Sequence, residues 1–324
     1  MQAFPNDFFS KTFVVTGGTG FIGTNLVKFL LKHGANVISV GYRGEFKFEH
    51  EHLEVLHLDL TRSSSWSSLL KDRNADVLIH LAAVSSGAAV MKNSPLAHLT
   101  PNLIMNALML EAAYKYKLKK IAFLSSNTVY PLTDYPVTEA DSGFVFYDSY
   151  HIVGWMKKFS EVMCEMYSSH IKAPMDVLVV RPGNLYGPFD KFDPEKSKVI
   201  PALIRRAVSK QDPFEVWGDG SDIKDFLYID DFVRAFVGLL ACDTVNGPVN
   251  IASGRSVSLR DVIYLILELA GHADAEVKFD VTKPIMIPKR MIDTALLESI
   301  TGFKPTIDLR EGLRRTIDWY AENP

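Results

Sequence analysis

Cysteine is scarce: the 324 residues contain two, Cys164 and Cys242, and neither belongs to a CxxC pair. That argues against a disulfide framework and a thiolate metal site, and no metal is expected; a reducing compartment fits. Charge bias is missing as well. With 35 basic against 38 acidic residues, the chain lacks the basic field that gives non-specific affinity for nucleic acid. No apolar run reaches about 18 residues, and MQAFPNDFFSKTFVVTGG has no basic segment leading into an apolar one. The expectation is a cytoplasmic protein with neither export signal nor membrane span. Internal repeats and low-complexity tracts are also absent. What is present, 47% apolar and 23% charged residues, suits a globular protein of one or two domains with a sizeable core.

The first half alternates short apolar runs with longer helical patterns. TFVVT precedes a helix from about Gly20 to His33, then come NVISV, DVLIHLAA and, after a second long helix, IAFLSS. Parallel strands joined by helical crossovers follow from that alternation. The runs are continuously apolar, as expected when helices cover both faces of a sheet. The fold class is therefore α/β, a Rossmann-type doubly wound parallel sheet with a smaller α/β substrate domain. MDVLVVRPGNLYGP reads as a further strand, and the Pro-, Lys- and Asp-rich stretch from Phe189 to Pro201 as an excursion from the sheet. The segment from Asp225 to Leu240 reads as a return followed by a helix. The expected division is residues 1–183 with 225–250 for the dinucleotide-binding domain, and 184–224 with 251–324 for the substrate domain.

TGGTGFIG sets Gly17, Gly20 and Gly23 directly after the first strand and at the mouth of an amphipathic helix. Glycines permit a tight turn and let backbone N–H groups approach a pyrophosphate, while the helix N-terminus adds partial positive charge. The strand–turn–helix context favours dinucleotide binding over a merely structural turn, with Phe21 and Ile22 completing the contact surface. Where an acidic residue at the end of the second strand would bind an unmodified ribose, the chain has Gly41-Tyr42-Arg43. Arg43 favours NADP, since an arginine can bind a 2′-phosphate bidentately, with NAD the alternative and a plain surface arginine the bland one. Asp59 could hold the adenine amino group or cap the next helix.

With the glycine turn, HLAA at His80 to Ala83, SSNTVYP at Ser125 to Pro131 and RPGNLYGP at Arg181 to Pro188, the chain resembles the extended short-chain dehydrogenase/reductases, the NAD-dependent epimerase/dehydratase family, over nearly its whole length. Within them it is most similar to the GDP-L-fucose synthases, through NLYGPFDKFDPEKSKVIPALIRR, VWGDGSDIKDFLYIDD and VKFDVTKP. The resemblance implies a Rossmann domain, a substrate domain, a nucleotide-sugar substrate with GDP preferred, and a homodimer built from two helices per subunit. It also implies that Leu60, Leu81, Ala82, Ala83, Asn102 and Lys157 line the cofactor. Asn184, Val199, Arg206 and Trp217 would hold the nucleotide, with Lys224 replacing the family's arginine and Ile285 standing where an acid is usual. For Trp217 a plain core tryptophan is the alternative.

The family's chemistry uses a serine on the reacting oxygen and a tyrosine four residues before a lysine on one helix face. Ser126 matches the serine. In SYHIVGWMKKFSEVMCEMY one register puts Lys157 in the lysine position and Val153 in the tyrosine position; sliding by a turn supplies Tyr150 but leaves Gly154 for the lysine. The first register is preferred, with Tyr150 a displaced acid/base or a lining residue of the sugar pocket. Lys157 could alternatively be a solvated helix lysine beside Lys158. The epimerase cysteine position is Thr128, and the histidine before VIPAL is Lys198, an acid/base or a diphosphate contact. The expected function is an NAD(P)-dependent epimerase, reductase or dehydratase acting on a GDP-linked deoxy or keto sugar. The alternatives are a degenerate cofactor- or nucleotide-binding protein and a dehydratase with atypical proton handling.

Overall fold

The computed structural model describes all residues except 1–3, 6, 43, 45, 47, 85–95, 195, 244, 284–285 and 324. Thirteen strands are described: β1 Thr12–Thr16, β2 Asn36–Gly41, β3 Leu53–His57, β4 Val77–His80, β5 Lys120–Leu124, β6 Asp176–Pro182, β7 Asn184–Tyr186, β8 Phe214–Trp217, β9 Ile223–Tyr228, β10 Pro248–Ile251, β11 Ser256–Ser258, β12 Val277–Asp280 and β13 Lys289–Arg290. The helices are α1 Phe21–Lys32, α2 Ser63–Leu70, α3 Leu96–Lys115, α4 His151–Ser169, α5 Val199–Val208, α6 Ile229–Leu240, α7 Leu259–Leu269, α8 Ala295–Thr301 and α9 Leu309–Glu322.

Seven strands form one parallel sheet in the order β10-β6-β5-β4-β1-β2-β3. Successive residues of β1 enter different cores: Phe13 and Val15 join a cluster with Leu26, Val27 and Leu30 of α1, whereas Val14 joins one with Met105 and Met109 of α3. That double burial is why the run is apolar at every position. The order reverses between β1 and β4, so the carboxyl ends of these strands open the crevice where ligands bind in such sheets.

The strand in FLYIDD corrects the expected return to the main sheet. β9 instead pairs with β7, β11 and β13 in a smaller sheet. The helix after it does return, since α6 packs on α1, and β10 completes the edge beside β6. VLVVRPGNLY likewise divides at Gly183 into β6 of the large sheet and β7 of the small one. β8 and β12 form a separate parallel pair. Among the described residues no helix is long and apolar enough to cross a membrane.

Candidate active site

The turn between β1 and α1 is shaped by glycine. Gly17 has φ +71°, and a Cβ there would lie 2.8 Å from the Ala82 backbone nitrogen; at Gly23 a Cβ would strike the Gly17 carbonyl. The turn is therefore drawn against both the chain after β4 and the mouth of α1. Gly20 caps α1 without a side-chain hydrogen bond, and its first turn has no acidic residue. The N–H groups of Phe21, Ile22 and Gly23 thus have no intrahelical acceptor, and they offer a positively polarised cradle that fits a dinucleotide pyrophosphate.

Gly41, at the end of β2, sits so close to Thr19 that a Cβ would fall 2.7 Å from its hydroxyl oxygen. Packing by Thr19 accounts for the missing side chain there; Arg43 lies outside the described residues. Asp59 does not cap α2, whose N-cap is Arg62. Its carboxylate accepts from the Thr61 amide at 3.1 Å and the Thr61 hydroxyl at 2.6 Å, an Asx turn. Leu60 is buried, its carbonyl accepting from the Trp66 indole at 2.9 Å. Leu81, Ala82 and Ala83 follow β4 beside Gly17. Asn102 is buried on α3 and exchanges hydrogen bonds with the backbone of Val84, at 2.9 and 3.0 Å, so its amide shapes that segment.

The proton-handling candidates gather at the carboxyl end of β5. Ser126 caps a 3-10 turn over Asn127–Val129, its Oγ accepting from the Thr128 amide at 3.2 Å and lying 3.0 Å from the Thr128 hydroxyl. Lys157 reaches the same strand end and donates to the Leu124 carbonyl at 2.7 Å. Burial pushes its pKa down to about 8, opposed by the Glu161 carboxylate. This overturns the alternative of a solvated helix lysine. A side chain at Gly154 would press within 2.6 Å of the Phe146 ring and 2.8 Å of the Thr128 carbonyl, so α4 packs on the Thr128 turn through a position only glycine fits. Val153 brings no proton.

Tyr150 is the N-cap of α4. Its hydroxyl is hydrogen-bonded to the Ile287 backbone, and burial pushes its pKa up to about 12, against the pull of the Arg290 cation. It stands toward the small sheet, on the Arg290 and Asp222 side. Lys198 is exposed at the N-cap of α5, near Asp190.

In the substrate lobe Asn184 donates to the Asp225 carbonyl at 2.8 Å, fastening β7 to β9. Arg206 donates to the Glu215 carbonyl at 2.5 Å, so α5 and β8 are joined where Val199, 38% exposed, and Trp217, 45% exposed, face outward. Exposure overturns the core alternative for Trp217, whose ring has the Lys283 ammonium 6.0 Å above it. Lys224 is buried, donating to the Ile287 carbonyl and paired with Asp222 at 3.2 Å; its ammonium is already engaged within the protein.

Two buried networks had no separable signal in the sequence. Thr16 Oγ1 lies 2.8 Å from His80 Nδ1, His80 Nε2 lies 3.0 Å from Asn106 Oδ1, and the Asn106 amide donates to Ser160 of α4 at 2.8 Å. Because Asn106 Oδ1 can only accept, the imidazole proton sits on Nε2, and Nδ1 accepts from Thr16. Burial pushes the His80 pKa down to about 4. In the second network, Arg181 grips Glu161 through two bonds of 2.9 and 2.7 Å, and Ser125 donates to the same carboxylate at 2.5 Å. Residues 20 to 64 apart meet only through the fold.

The NAD dependent epimerase/dehydratase family matches residues 13–252. The chain is 31% identical to GDP-L-fucose synthase 1 of Arabidopsis thaliana over 322 residues, covering 97% of this chain and 94% of that protein. It is 26% identical to dTDP-4-dehydro-6-deoxy-D-allose reductase of Streptomyces bikiniensis, covering 97% of each. The structure of UDP-glucose 4-epimerase from Thermotoga maritima with UDP-glucose superposes with a TM-score of 0.85 at 25% identity, over 96% of this chain and 99% of that one. A match across most of the large sheet, with full-length relatives around it, leads to one conclusion: the chain belongs to the NAD-dependent epimerase/dehydratase family of enzymes.

Proposed function

We propose that the protein oxidises, reduces or eliminates at carbons 4 to 6 of a nucleotide-activated sugar, GDP-linked in preference, with NADP preferred over NAD. The observation that carries this reading is the meeting of Ser126, Thr128 and Lys157 at the end of β5, in the crevice that the glycine turn also borders. A bound nicotinamide supplies or accepts the hydride. Ser126, whose Oγ accepts from the Thr128 hydroxyl, presents its own hydroxyl hydrogen to the sugar oxygen whose bond order changes, and Lys157 holds a positive charge beneath it. With Val153 in the tyrosine position, proton transfer falls to these groups; Tyr150, held protonated at neutral pH, can donate but not serve as a base. NADP rests on Arg43. The GDP preference rests on the stretches from Asn184 to Arg206 and Val216 to Asp231, while relatives named for dTDP and UDP sugars set the competing substrates.

The valine at 153 favours one second reading, a protein that binds cofactor and nucleotide without turnover. The test releases small molecules from the denatured protein for mass spectrometry, then incubates native protein with GDP-mannose, GDP-4-keto-6-deoxymannose, and the UDP and dTDP analogues. NADP(H) with a mass change in a GDP sugar is expected. Bound cofactor with no change in any sugar would establish the binding protein instead, and the absence of any nicotinamide would sink both.

A further inference from the structure

Three consecutive residues at the end of β5 are tied to α4 or carry the chemistry. The Leu124 carbonyl accepts from Lys157 at 2.7 Å, the Ser125 hydroxyl donates to Glu161 at 2.5 Å, and Ser126 offers its hydroxyl to substrate. Lys157 and Glu161 stand four residues apart, on one face of α4. Ser125 is 3% exposed, Glu161 7% and Arg181 1%. Within this buried group the guanidinium uses all five of its N–H donors. Two go to Glu161, and the others to the Tyr130 hydroxyl at 3.0 Å, the Glu139 carbonyl at 2.9 Å and the Ser142 hydroxyl at 2.9 Å. Lys158 lies 3.7 Å from the same carboxylate. A network satisfied in this way holds the carboxylate in one orientation, and Ser125 passes that orientation to its neighbour Ser126.

Packing alone gives little reason for a buried ion pair here, since apolar residues of similar volume serve stability as well or better. We propose that, given the roles assigned above to Ser126 and Lys157, Glu161 is a positioning residue of the site: it pins Ser125, and with it the backbone that presents Ser126, and its negative charge stands behind the Lys157 ammonium. The other groups that face Lys157 do not supply that charge. Cys164 of α4 is a thiol whose pKa burial pushes up, so it stays uncharged. His80, at the end of β4, is pushed down to about 4 and stays neutral. Phe123 of β5 presents only its ring, 5.0 Å from the ammonium, while Arg181 of β6 and Lys158 are cations that both contact the Glu161 carboxylate. Glu161 therefore opposes loss of the Lys157 proton.

The test labels the lysines of the full chain with 13C at Cε and follows them by NMR from pH 6 to 10, beside turnover of the nucleotide sugar that the parent converts. Loss of a resonance in Lys157→Arg assigns Lys157, which should titrate at about 8 in the parent. Glu161→Gln keeps the shape of the network and removes its charge, so the midpoint should fall by about one pH unit, and the alkaline decline of turnover with it. Ser125→Ala keeps the charge and removes the pin. It should lower kcat about tenfold with KM, cofactor Kd and the Lys157 midpoint unchanged. Glu165→Gln, one turn further along α4 and exposed, should leave rate and midpoint as they are. An unmoved Lys157 midpoint in Glu161→Gln, an equal movement in Glu165→Gln, or a Ser125→Ala enzyme as fast as the parent overturns the inference. Should Glu161→Gln fail to fold around an unpaired Arg181, Ser125→Ala decides alone. A parent that converts no sugar refutes the catalytic reading instead, and the lysine titration, which needs no turnover, still decides whether Glu161 holds the Lys157 charge.

Discussion

Ser126 and Thr128 together own two hydroxyl hydrogens, and one is consumed in the 3.0 Å contact between them. Ser126 Oγ also accepts the Thr128 amide, so the pair keeps a single hydrogen for a substrate oxygen and is oriented to donate. Thr128→Val should therefore lower kcat about tenfold, the worth of one well-placed hydrogen bond, with cofactor affinity unchanged and most of the rate restored in Thr128→Ser. Equal loss of cofactor binding in the valine variant would show a structural threonine. Lys157 adds a pH signature. Its ammonium titrates at about 8 in the folded protein, so turnover that needs the cation should decline as pH rises through about 8, and Lys157→Arg should move that limb upward. A rate flat to pH 10 would remove Lys157 from the mechanism. Serine 126 could be read from its motif, but Thr128 looked like a lost epimerase cysteine, because its bond to Ser126 is a fact of a turn that no spacing rule encodes.

At the scale of elements, the chain Thr16–His80–Asn106–Ser160 ties β1, β4, α3 and α4 together beneath the crevice. His80 is pushed down to about 4 from about 6.5 in an unfolded chain. Between those values the unfolded state binds a proton that the folded state does not, so stability is present above pH 6.5 and declines as pH falls toward 4, by roughly 3 kcal/mol in all. Urea midpoints at pH 7.5 and 5 should differ accordingly, and His80→Asn should reduce that difference; an unchanged difference would place the acid sensitivity elsewhere. Packing at Gly154 is a second link between elements. Gly154→Ala should push α4 off the Thr128 turn and lower kcat while Tm falls by only a few degrees, as for a modest overpacking. Strand and helix positions in the large sheet were legible because their apolar runs and the glycine turn are local signals. The placement of β9 was not, since a strand buried on both faces reads alike in either sheet.

The whole molecule presents an apolar face on the packed pair α3 and α4, with Ile104, Tyr114, Trp155, Phe159 and Met166 each about 40 to 50% exposed. Side chains of this size on one face of two helices suit burial against a second copy, the homodimer that the family resemblance implies. Light scattering after size exclusion should give twice the 36.3 kDa chain mass, and Phe159→Asp should shift it toward monomer; a parent monomer at micromolar concentration would rule the dimer out.

The sequence by itself determined the alternating α/β layout and the glycine turn between β1 and α1, and it picked out Ser126 and Lys157 as candidates, because each depends on residues adjacent in the chain or one helical turn apart. Only the tertiary structure decided that Lys157 is half-buried against the end of β5, that Lys224 is already paired, that Trp217 is exposed and that His80 and Glu161 anchor buried networks. Burial and pairing depend on what the rest of the chain brings within a few ångströms, and partners dozens of residues apart leave no pattern in the sequence.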